Sequence, residues 1–402
     1  MTTNIEITAT AAKKDFASSD VIAVSTAHGL HDTYQAFLPS FIPIFIENLA
    51  LSKTQAGLLS AFSQLPSLTQ PFIGLLADRK GLRWMVILAP AVTAVTSSLL
   101  GVMPNYLLIA FLLVITGFSS AGMHSVGPVI AGRLSGSQLG KGMSYWMVAG
   151  ELGRALGPLA VVTAIQFAGL NSTPWLMVAG LTVSVLLYIR LRRLPSASHA
   201  PTSTFDWKPA LRQMAFFMLG LGLISSTGFF VAGAISTFLP TYLTEKGVSL
   251  WFAGAALTIY ELAGVIGAMV VGPISDRFGR KPVLLAGFIL TPVFMLLFTL
   301  SNSWLKVPGL LMLGFSMLSI NPVLMAWVQE RFPNYRAFAN GIFMSMNFVF
   351  RSGIVIVIGW IADRHGLQVS YLVSAAAMLL AVPVIWFMPE TREPSKIIKS
   401  SS

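Results

Sequence analysis

Four polar side chains stand close together in an otherwise apolar stretch near the N-terminus. They are His28, His31, Asp32 and Gln35. At 100° per residue they fall on one helix face, within roughly a third of its circumference. A carboxylate beside imidazoles can exchange protons near neutral pH, because histidine titrates there. We predict proton exchange at Asp32, His28 and His31 and ligand contact at Gln35; the alternative is hydrogen bonding between helices only.

Two further carboxylates lie in apolar stretches. Glu151 stands three residues before Arg154, a spacing that allows an ion pair on one helix. This pair is either structural or switchable, with a ligand or a proton competing for one partner. Glu261 has no basic residue nearby in sequence. It is either a second site of protonation or a carboxylate exchanged with Arg351.

Two arginines in apolar stretches are candidates for anion binding. Guanidinium groups hold carboxylate, phosphate or phosphonate oxygens in pairs. We therefore predict ligand contacts at Arg154 and Arg351, unless nearby carboxylates cancel their charge. Asn347 precedes Arg351 by four residues and faces the same way. His124 and Asn321 are further candidates for ligand contact, and the alternative for each is a hydrogen bond between helices.

Composition sets the kind of element that must position these residues. Hydrophobic residues make up 55% of the 402 residues and charged residues 10%, and the mean hydropathy is +0.75. A soluble chain carries about 25% charged residues, so lipid must surround most of this one. Cysteine is absent, which excludes disulfides and thiolate chemistry. We predict no metal-binding residues.

Twelve apolar runs are long enough to cross a bilayer, which takes about 20 residues. Their predicted bounds are 20–47, 54–76, 84–103, 105–131, 142–168, 173–192, 211–243, 251–273, 281–301, 305–329, 339–362 and 368–389. The segment 193–210 is rich in Pro, Ser and Thr, which is typical of a linker. We predict an all-α membrane protein with six-helix halves at 20–192 and 211–389 and tails at 1–19 and 390–402.

The distribution of basic residues predicts the orientation. Most of the 26 lysines and arginines fall on one side of these spans. Loops on the other side carry only Lys53, Lys246, Lys306 and Arg364. Because cytoplasmic loops are enriched in Lys and Arg, we predict that both tails and the linker are cytoplasmic. This bias accounts for the net charge of +11 without a nucleic-acid partner.

A short charged stretch occurs once in each half, as GLLADRKGLR at 74–83 and GPISDRFGRK at 272–281. The pattern resembles the loop signature of the major facilitator superfamily of secondary transporters. The matching residues are Gly74, Asp78, Arg79, Gly81, Gly272, Asp276, Arg277, Gly279 and Arg280. The first copy departs at Leu82, where the family has Arg. The resemblance implies two repeated halves with a substrate site between them, and loop charge pairs that hold one state.

A narrower resemblance covers nearly the whole chain. The run from His28 to Asp32 is similar to the opening of the fosmidomycin-resistance branch of this superfamily. Stretches at 328–333 and 388–390 are similar as well. The branch has His-Pro-Glu where this chain has His124, Ser125 and Val126, so a buried glutamate is missing there. Glu151 in the fifth span is a candidate replacement.

The fifth span carries small residues at intervals of three and four: Gly150, Gly153, Gly157 and Pro158. Their pattern resembles the helix-5 motif of superfamily exporters, usually called the antiporter motif, which implies efflux. The alternative is tight helix packing, since small residues at this spacing let another helix approach closely.

These features favour a proton-coupled exporter of a small organic molecule or drug, working by alternating access as a monomer in the inner membrane. The alternative is uptake of a small organic or inorganic anion. The expected partners are the substrate, protons and the lipid bilayer, with a proton gradient in place of a cofactor. An enzyme is not predicted, because H-E-x-x-H, G-x-S-x-G and a cysteine nucleophile are all absent.

Overall fold

The computed structural model describes residues 16–80, 82–192, 207–301, 304–333 and 336–389, and within them the regular structure is helical. The α-helices are α1 Ser18–Gln35, α2 Leu38–Leu49, α3 Lys53–Gln64, α4 Gln70–Lys80, α5 Arg83–Leu99, α6 Tyr106–Leu134, α7 Leu139–Ala168, α8 Met177–Leu191, α9 Trp207–Glu245, α10 Leu250–Phe278, α11 Arg280–Leu300, α12 Lys306–Arg331, α13 Arg336–Leu379 and α14 Ala381–Phe387. Short 3-10 turns follow α3 and α5 and precede α8.

Nine stretches among the described residues are long and apolar enough to cross a membrane. One of them, Phe338–Phe387, holds two crossings. Gly366 is non-helical there, with φ 82° and ψ 161°, and Ser370 donates a hydrogen bond to the Ile358 carbonyl at 3.0 Å. The chain therefore reverses at Gly366. When α1–α2 and α3–α4 are each taken as one crossing, the fold has the predicted twelve membrane-crossing helices in two halves of six.

The first two crossings are broken in the middle, whereas the sequence analysis treats 20–47 and 54–76 as continuous. Proline explains both breaks, because it lacks an amide hydrogen and clashes with the preceding turn. Pro39 stands in the first turn of α2, and Pro66 stands in the 3-10 turn Leu65–Thr69 that follows α3.

The predicted tails and linker fall largely outside the described residues, which do not include 1–15, 193–206 and 390–402. Helix α1 begins at Ser18 and α9 at Trp207, so the ends of the predicted tail and linker are helical. The domain boundaries otherwise stay predictions.

The outer surface is apolar, as a bilayer requires. Large side chains such as Leu107, Phe167 and Phe216 are mostly exposed. Contiguous exposure of this kind is unfavourable in water, and it is expected where lipid tails are the solvent. Inside, one buried apolar cluster includes residues of both halves, among them Phe41 of α2 and Phe238 of α9. The protein is therefore a multi-pass membrane protein.

The two halves meet closely where α3 packs on α13. A Cβ at Gly57 would lie 2.8 Å from the Val355 carbonyl oxygen, and Gly359 packs against the backbone of Lys53. These glycines let the two backbones touch. Helices α7 and α10 also join the halves, since the amide of Leu159 donates to Thr258 Oγ1 at 3.2 Å.

A carboxylate fastens this contact at the predicted outer end of the bundle. Asp363 of α13 accepts hydrogen bonds from the Lys53 amide at 2.6 Å, the Thr54 amide at 2.9 Å and Thr54 Oγ1 at 2.5 Å. The first amides of a helix have no partner within it and carry partial positive charge. Asp363 thus caps α3 across the interface, and Lys53 Nζ adds an ion pair with Glu245 at 2.8 Å.

We expect Asp363→Ala to open the predicted outer side more often. The variant loses charge-assisted hydrogen bonds worth about 1.5–3 kcal/mol each. Because the natural chain has no cysteine, Gln35→Cys would supply its only thiol, on the wall of the cavity. Labelling by a membrane-impermeant maleimide from outside should accelerate at least tenfold when Asp363→Ala is added. Glu47→Ala, which removes an exposed carboxylate of α2, is the matched control. Equal labelling rates in the two backgrounds would show that Asp363 does not hold this side closed.

Candidate functional site: a cavity between the two halves

A cavity of about 360 Å³ lies between the halves. The cavity is lined by nine residues that the sequence analysis singled out: Asp32, Gln35, His124, Arg154, Pro158, Glu261, Asn321, Asn347 and Arg351. They come from α1, α6 and α7 in the first half and from α10, α12 and α13 in the second. The residues predicted to contact substrate are thus on one surface. Their roles stay predictions.

On the wall of the first half, Asp32 meets two histidines. The Nε2 atoms of His28 and His124 each lie 3.6 Å from an oxygen of Asp32 and 3.3 Å from each other. The ring of His28 stacks on the indole of Trp146, with centroids 3.8 Å apart and planes at 6°. These three ligand-type groups lie close enough together to hold a metal ion. The sequence places His28 beside Asp32, whereas only the fold adds His124.

His31, which shares a helix face with Asp32 on the wheel, bonds to α5, and its ring stands edge-on to that of His124 with centroids 5.9 Å apart. Its Nδ1 lies 2.8 Å from Thr93 Oγ1 and 3.4 Å from the Ala89 carbonyl oxygen of α5. Thr93 in turn donates to Ser119 of α6 at 3.0 Å. His31 is fully buried and is not among the cavity-lining residues. The structure therefore places it in a hydrogen-bonded contact between α1 and α5.

The basic side chains of the cavity have different partners. Arg154 forms the predicted ion pair with Glu151 on α7. Arg351 Nη2 lies 3.4 Å from Ser236 Oγ of α9, and its buried Nε has no hydrogen-bond partner in the described part of the chain. Glu261 is within electrostatic reach of both guanidinium groups. The cavity therefore contains a carboxylate that can compete with an anion for the two arginines.

Several lining residues were missed by the sequence reasoning. Gln64 and Gln70 stand on either side of the break between α3 and α4 and line the cavity. Smaller hydroxyl groups accompany them: Ser60, Ser63, Ser67, Ser97, Thr116, Ser120, Ser236 and Thr237. The detectable signal was the pair of glutamines flanking Pro66 inside an apolar run. The buried Asn347 Oδ1 has no partner among the described residues, so the wall also offers a free acceptor.

The small residues of α7 let α1 approach closely. Gly150 lies against the His28 ring, Gly153 against the carbonyl of Gly29, and Gly157 against the carbonyl of Thr33. A side chain at any of these positions would collide with α1. The predicted packing role of this motif is therefore present in the structure, and the efflux role that the resemblance implies stays a prediction.

The second charged loop forms a network within its own half. Arg280 pairs with Asp276 of the same motif and, at 2.8 Å, with Glu330 of α12. Gly279 ends α10 with φ 96°, a conformation that favours glycine. Arg277 lies near the ring of Phe278, and Gly272 lies in α10.

The first copy is less fully described. Gly74 lies in α4. Gly81 is outside the described residues, and so are the side chains of Asp78 and Arg79. The gating role of both loops stays a prediction.

Two helical halves around a central polar cavity define a secondary-transporter fold. The family model described as Major Facilitator Superfamily matches residues 24–257 and 252–402. The chain belongs to this superfamily, and it is a transporter of small molecules embedded in the membrane.

Curated relatives agree with this assignment. The chain is 27% identical to the fosmidomycin resistance protein of Escherichia coli (strain K12) over 92% of each protein. It is 23% identical to the uncharacterized MFS-type transporter YfnC of Bacillus subtilis (strain 168), over 90% of this chain and 91% of that protein.

Solved structures share the fold at low sequence identity. A bacterial homolog of the human lysosomal transporter Spinster, in an inward-facing and occupied conformation, matches with a TM-score of 0.78 at 14% identity, over 93% of this chain and 97% of that one. A D-xylose–proton symporter matches with a TM-score of 0.74 at 18% identity, over 93% and 98%. These matches show the fold.

We expect Gly153→Ala to destabilise the protein by about 1–3 kcal/mol, the usual cost of overpacking, because the added methyl group would meet the backbone of Gly29. Thermal unfolding in detergent should show a lower Tm. Gly341→Ala is the matched control, since a Cβ at Gly341 meets nothing within 4 Å. An unchanged Tm in Gly153→Ala, equal to that of the control, would contradict close packing of α1 on α7.

Proposed function

We propose that the protein exports a small organic molecule in exchange for protons, by alternating access between the two halves. The observation that carries this proposal is the cluster of Asp32, His28 and His124, of which Asp32 and His124 line the cavity. A carboxylate is costly inside a membrane protein and is retained there mostly for function. Beside two imidazoles it forms a group that can take up and release a proton.

The name of one relative favours the export direction. The fosmidomycin resistance protein of Escherichia coli aligns along 92% of its length, and a membrane transporter can confer resistance to a compound by moving that compound out of the cell. Glu151 and Glu261 are the additional carboxylates that we assign to proton coupling. Gln35, His124, Arg154, Asn321, Asn347 and Arg351 are the residues that we assign to substrate contact.

The oligomeric state, the location and the energy source that we propose for the transporter are those of the sequence analysis. It works as a monomer in the inner membrane with both termini in the cytoplasm, and it uses the proton gradient without a cofactor. The contacts of Asp363 with α3 then close the outer side in the state described here. The charged loops at 74–83 and 272–281 act on the opposite side.

A second candidate function is uptake of a small organic or inorganic anion. Arg154 and Arg351 line the same cavity from opposite halves, and Arg351 Nε has no partner among the described residues. Guanidinium groups bind oxyanions through paired hydrogen bonds. Glu261 would have to give up its attraction to the arginines, or be protonated, when an anion enters.

Reconstitution in liposomes with a pH-sensitive dye inside separates the two functions. One panel contains cationic and neutral drugs, and the other contains fosmidomycin, phosphonates and carboxylates. Proton movement opposite in direction to the substrate, with either panel, supports the exporter. Proton movement with the same direction as an anion, confined to the second panel, supports uptake. A lack of response to both panels would contradict proton coupling to these substrate classes.

We expect Asp32→Asn to abolish proton-driven transport, with at least a tenfold loss, and to leave substrate exchange partly intact. Asparagine keeps the shape of the side chain but cannot carry the titrating proton. The measurement is dye-reported proton flux beside isotope exchange of substrate at equal pH. Asp20→Asn is the matched control on the same helix, because Asp20 pairs with Arg190 near the exposed end of α1. Unchanged pH-dependent transport in Asp32→Asn would remove Asp32 from the coupling role.

We expect Arg351→Lys to weaken the binding of an anionic substrate about tenfold, because lysine keeps the charge but lacks the planar guanidinium group that forms paired hydrogen bonds. A neutral or cationic substrate should be affected little. The measurement is the substrate concentration at half-maximal exchange, with the exposed Arg331→Lys at the end of α12 as control. Equal affinity for an anion in the variant and the natural protein would count against anion recognition by Arg351.

A further inference from the structure

The cluster of His28, Asp32 and His124 has the geometry of a metal site. Its three ligand atoms all lie within 4.8 Å of one another. The two histidine Nε2 atoms are 3.3 Å apart, and each is 3.6 Å from a different oxygen of Asp32. A tetrahedral zinc ion with bonds of about 2.0–2.1 Å places its ligands about 3.3–3.4 Å apart. The 3.3 Å between the two nitrogens equals such an edge, and each nitrogen–oxygen separation is longer by about 0.2–0.3 Å, so small side-chain shifts would bring the three groups onto one ion.

Backbone carbonyls determine which nitrogens face the centre. His28 Nδ1 lies 2.9 Å from the Trp146 carbonyl oxygen, and His124 Nδ1 lies 3.0 Å from the Ser120 carbonyl oxygen. A carbonyl only accepts, so both Nδ1 atoms must carry hydrogen. In each neutral ring the lone pair is then on Nε2. Metal-ligating histidines are usually oriented in this way, with the other nitrogen bonded to a carbonyl or carboxylate.

Two lone pairs and a carboxylate therefore converge on one point. Three acceptors at these distances repel one another unless a proton or a metal ion lies between them. Asp32 Oδ1 is buried and has no hydrogen-bond partner among the described residues, as expected of a group that awaits a cation. Arg154 on α7 acts electrostatically on both histidines of the cluster, and its own pairing with Glu151 offsets this charge.

We propose that this cluster binds one divalent first-row transition metal ion of the zinc class, through His28 Nε2, His124 Nε2 and Asp32. Two histidines with one carboxylate form a donor set that is common in sites with an open coordination position. Asp32 and His124 line the cavity, so the open position faces it and a small ligand can complete the coordination. The metal and the proton of the proposed transport cycle are alternative occupants of the cluster.

The proposal is tested by direct binding, which does not depend on transport. Untagged protein, stripped with a chelator and kept in detergent, is titrated with zinc chloride by calorimetry. One zinc ion per chain is expected, with at least a tenfold loss of affinity in Asp32→Asn and in His124→Gln. His365→Gln is the matched control, because His365 is exposed beside Gly366, and its affinity should equal that of the natural protein.

Two further measurements distinguish a loss of zinc binding from a failure of the variant to fold. Zinc should raise the Tm of the natural protein and of His365→Gln, and it should leave the Tm of a monodisperse Asp32→Asn sample unchanged. X-ray absorption at the zinc edge should show two imidazoles in the first coordination shell. The proposal is overturned by the absence of saturable binding, by equal affinity in Asp32→Asn and the natural protein, or by a first shell without imidazole. If a protein sample lost proton-driven transport but still bound zinc, the zinc-site proposal would still hold. The failure of this proposal and the failure of the proposed transport function are therefore distinguishable.

Discussion

Hydrocarbon offers no hydrogen-bond partner, and this constraint explains where the polar groups of the bundle lie. Each must be paired inside the protein or face the cavity. Asp32 has two imidazoles within 3.6 Å, Glu151 has Arg154, and His31 has Thr93. Polar residues on the cavity wall come from both halves. The cavity is therefore one place where unpaired groups are tolerated, and a substrate can bind to them there.

The packing of α1 on α7 and the chemistry of the cavity depend on each other. The missing side chain of Gly150 leaves room for the ring of His28, which then stacks on Trp146 and bonds its carbonyl. The same approach brings Gly153 onto the backbone of α1. Tight packing and function are thus not exclusive interpretations of the glycine motif, because the close contact orients the histidine.

Polar contacts join the halves beside the apolar cluster that they share. Asp363 bonds the free amides at the start of α3, and such bonds can be exchanged for water when the halves separate in the proposed cycle. On the other side, Arg280 joins Asp276 and Glu330 within the second half. That network lies within one half, so separation of the halves would leave it intact.

The sequence by itself determined the twelve crossings, the repeated loop and the Glu151–Arg154 pair. These depend on local quantities: the apolar length of a run, the turn chemistry of Gly279, and a spacing of three residues along one helix. Only the tertiary structure decided that His124 of α6 lies beside His28 and Asp32. It also decided that His31 bonds to α5 and that Gln64 and Gln70 line the cavity. A helical wheel gives the face of a residue, but the neighbour on that face is decided by how distant helices pack.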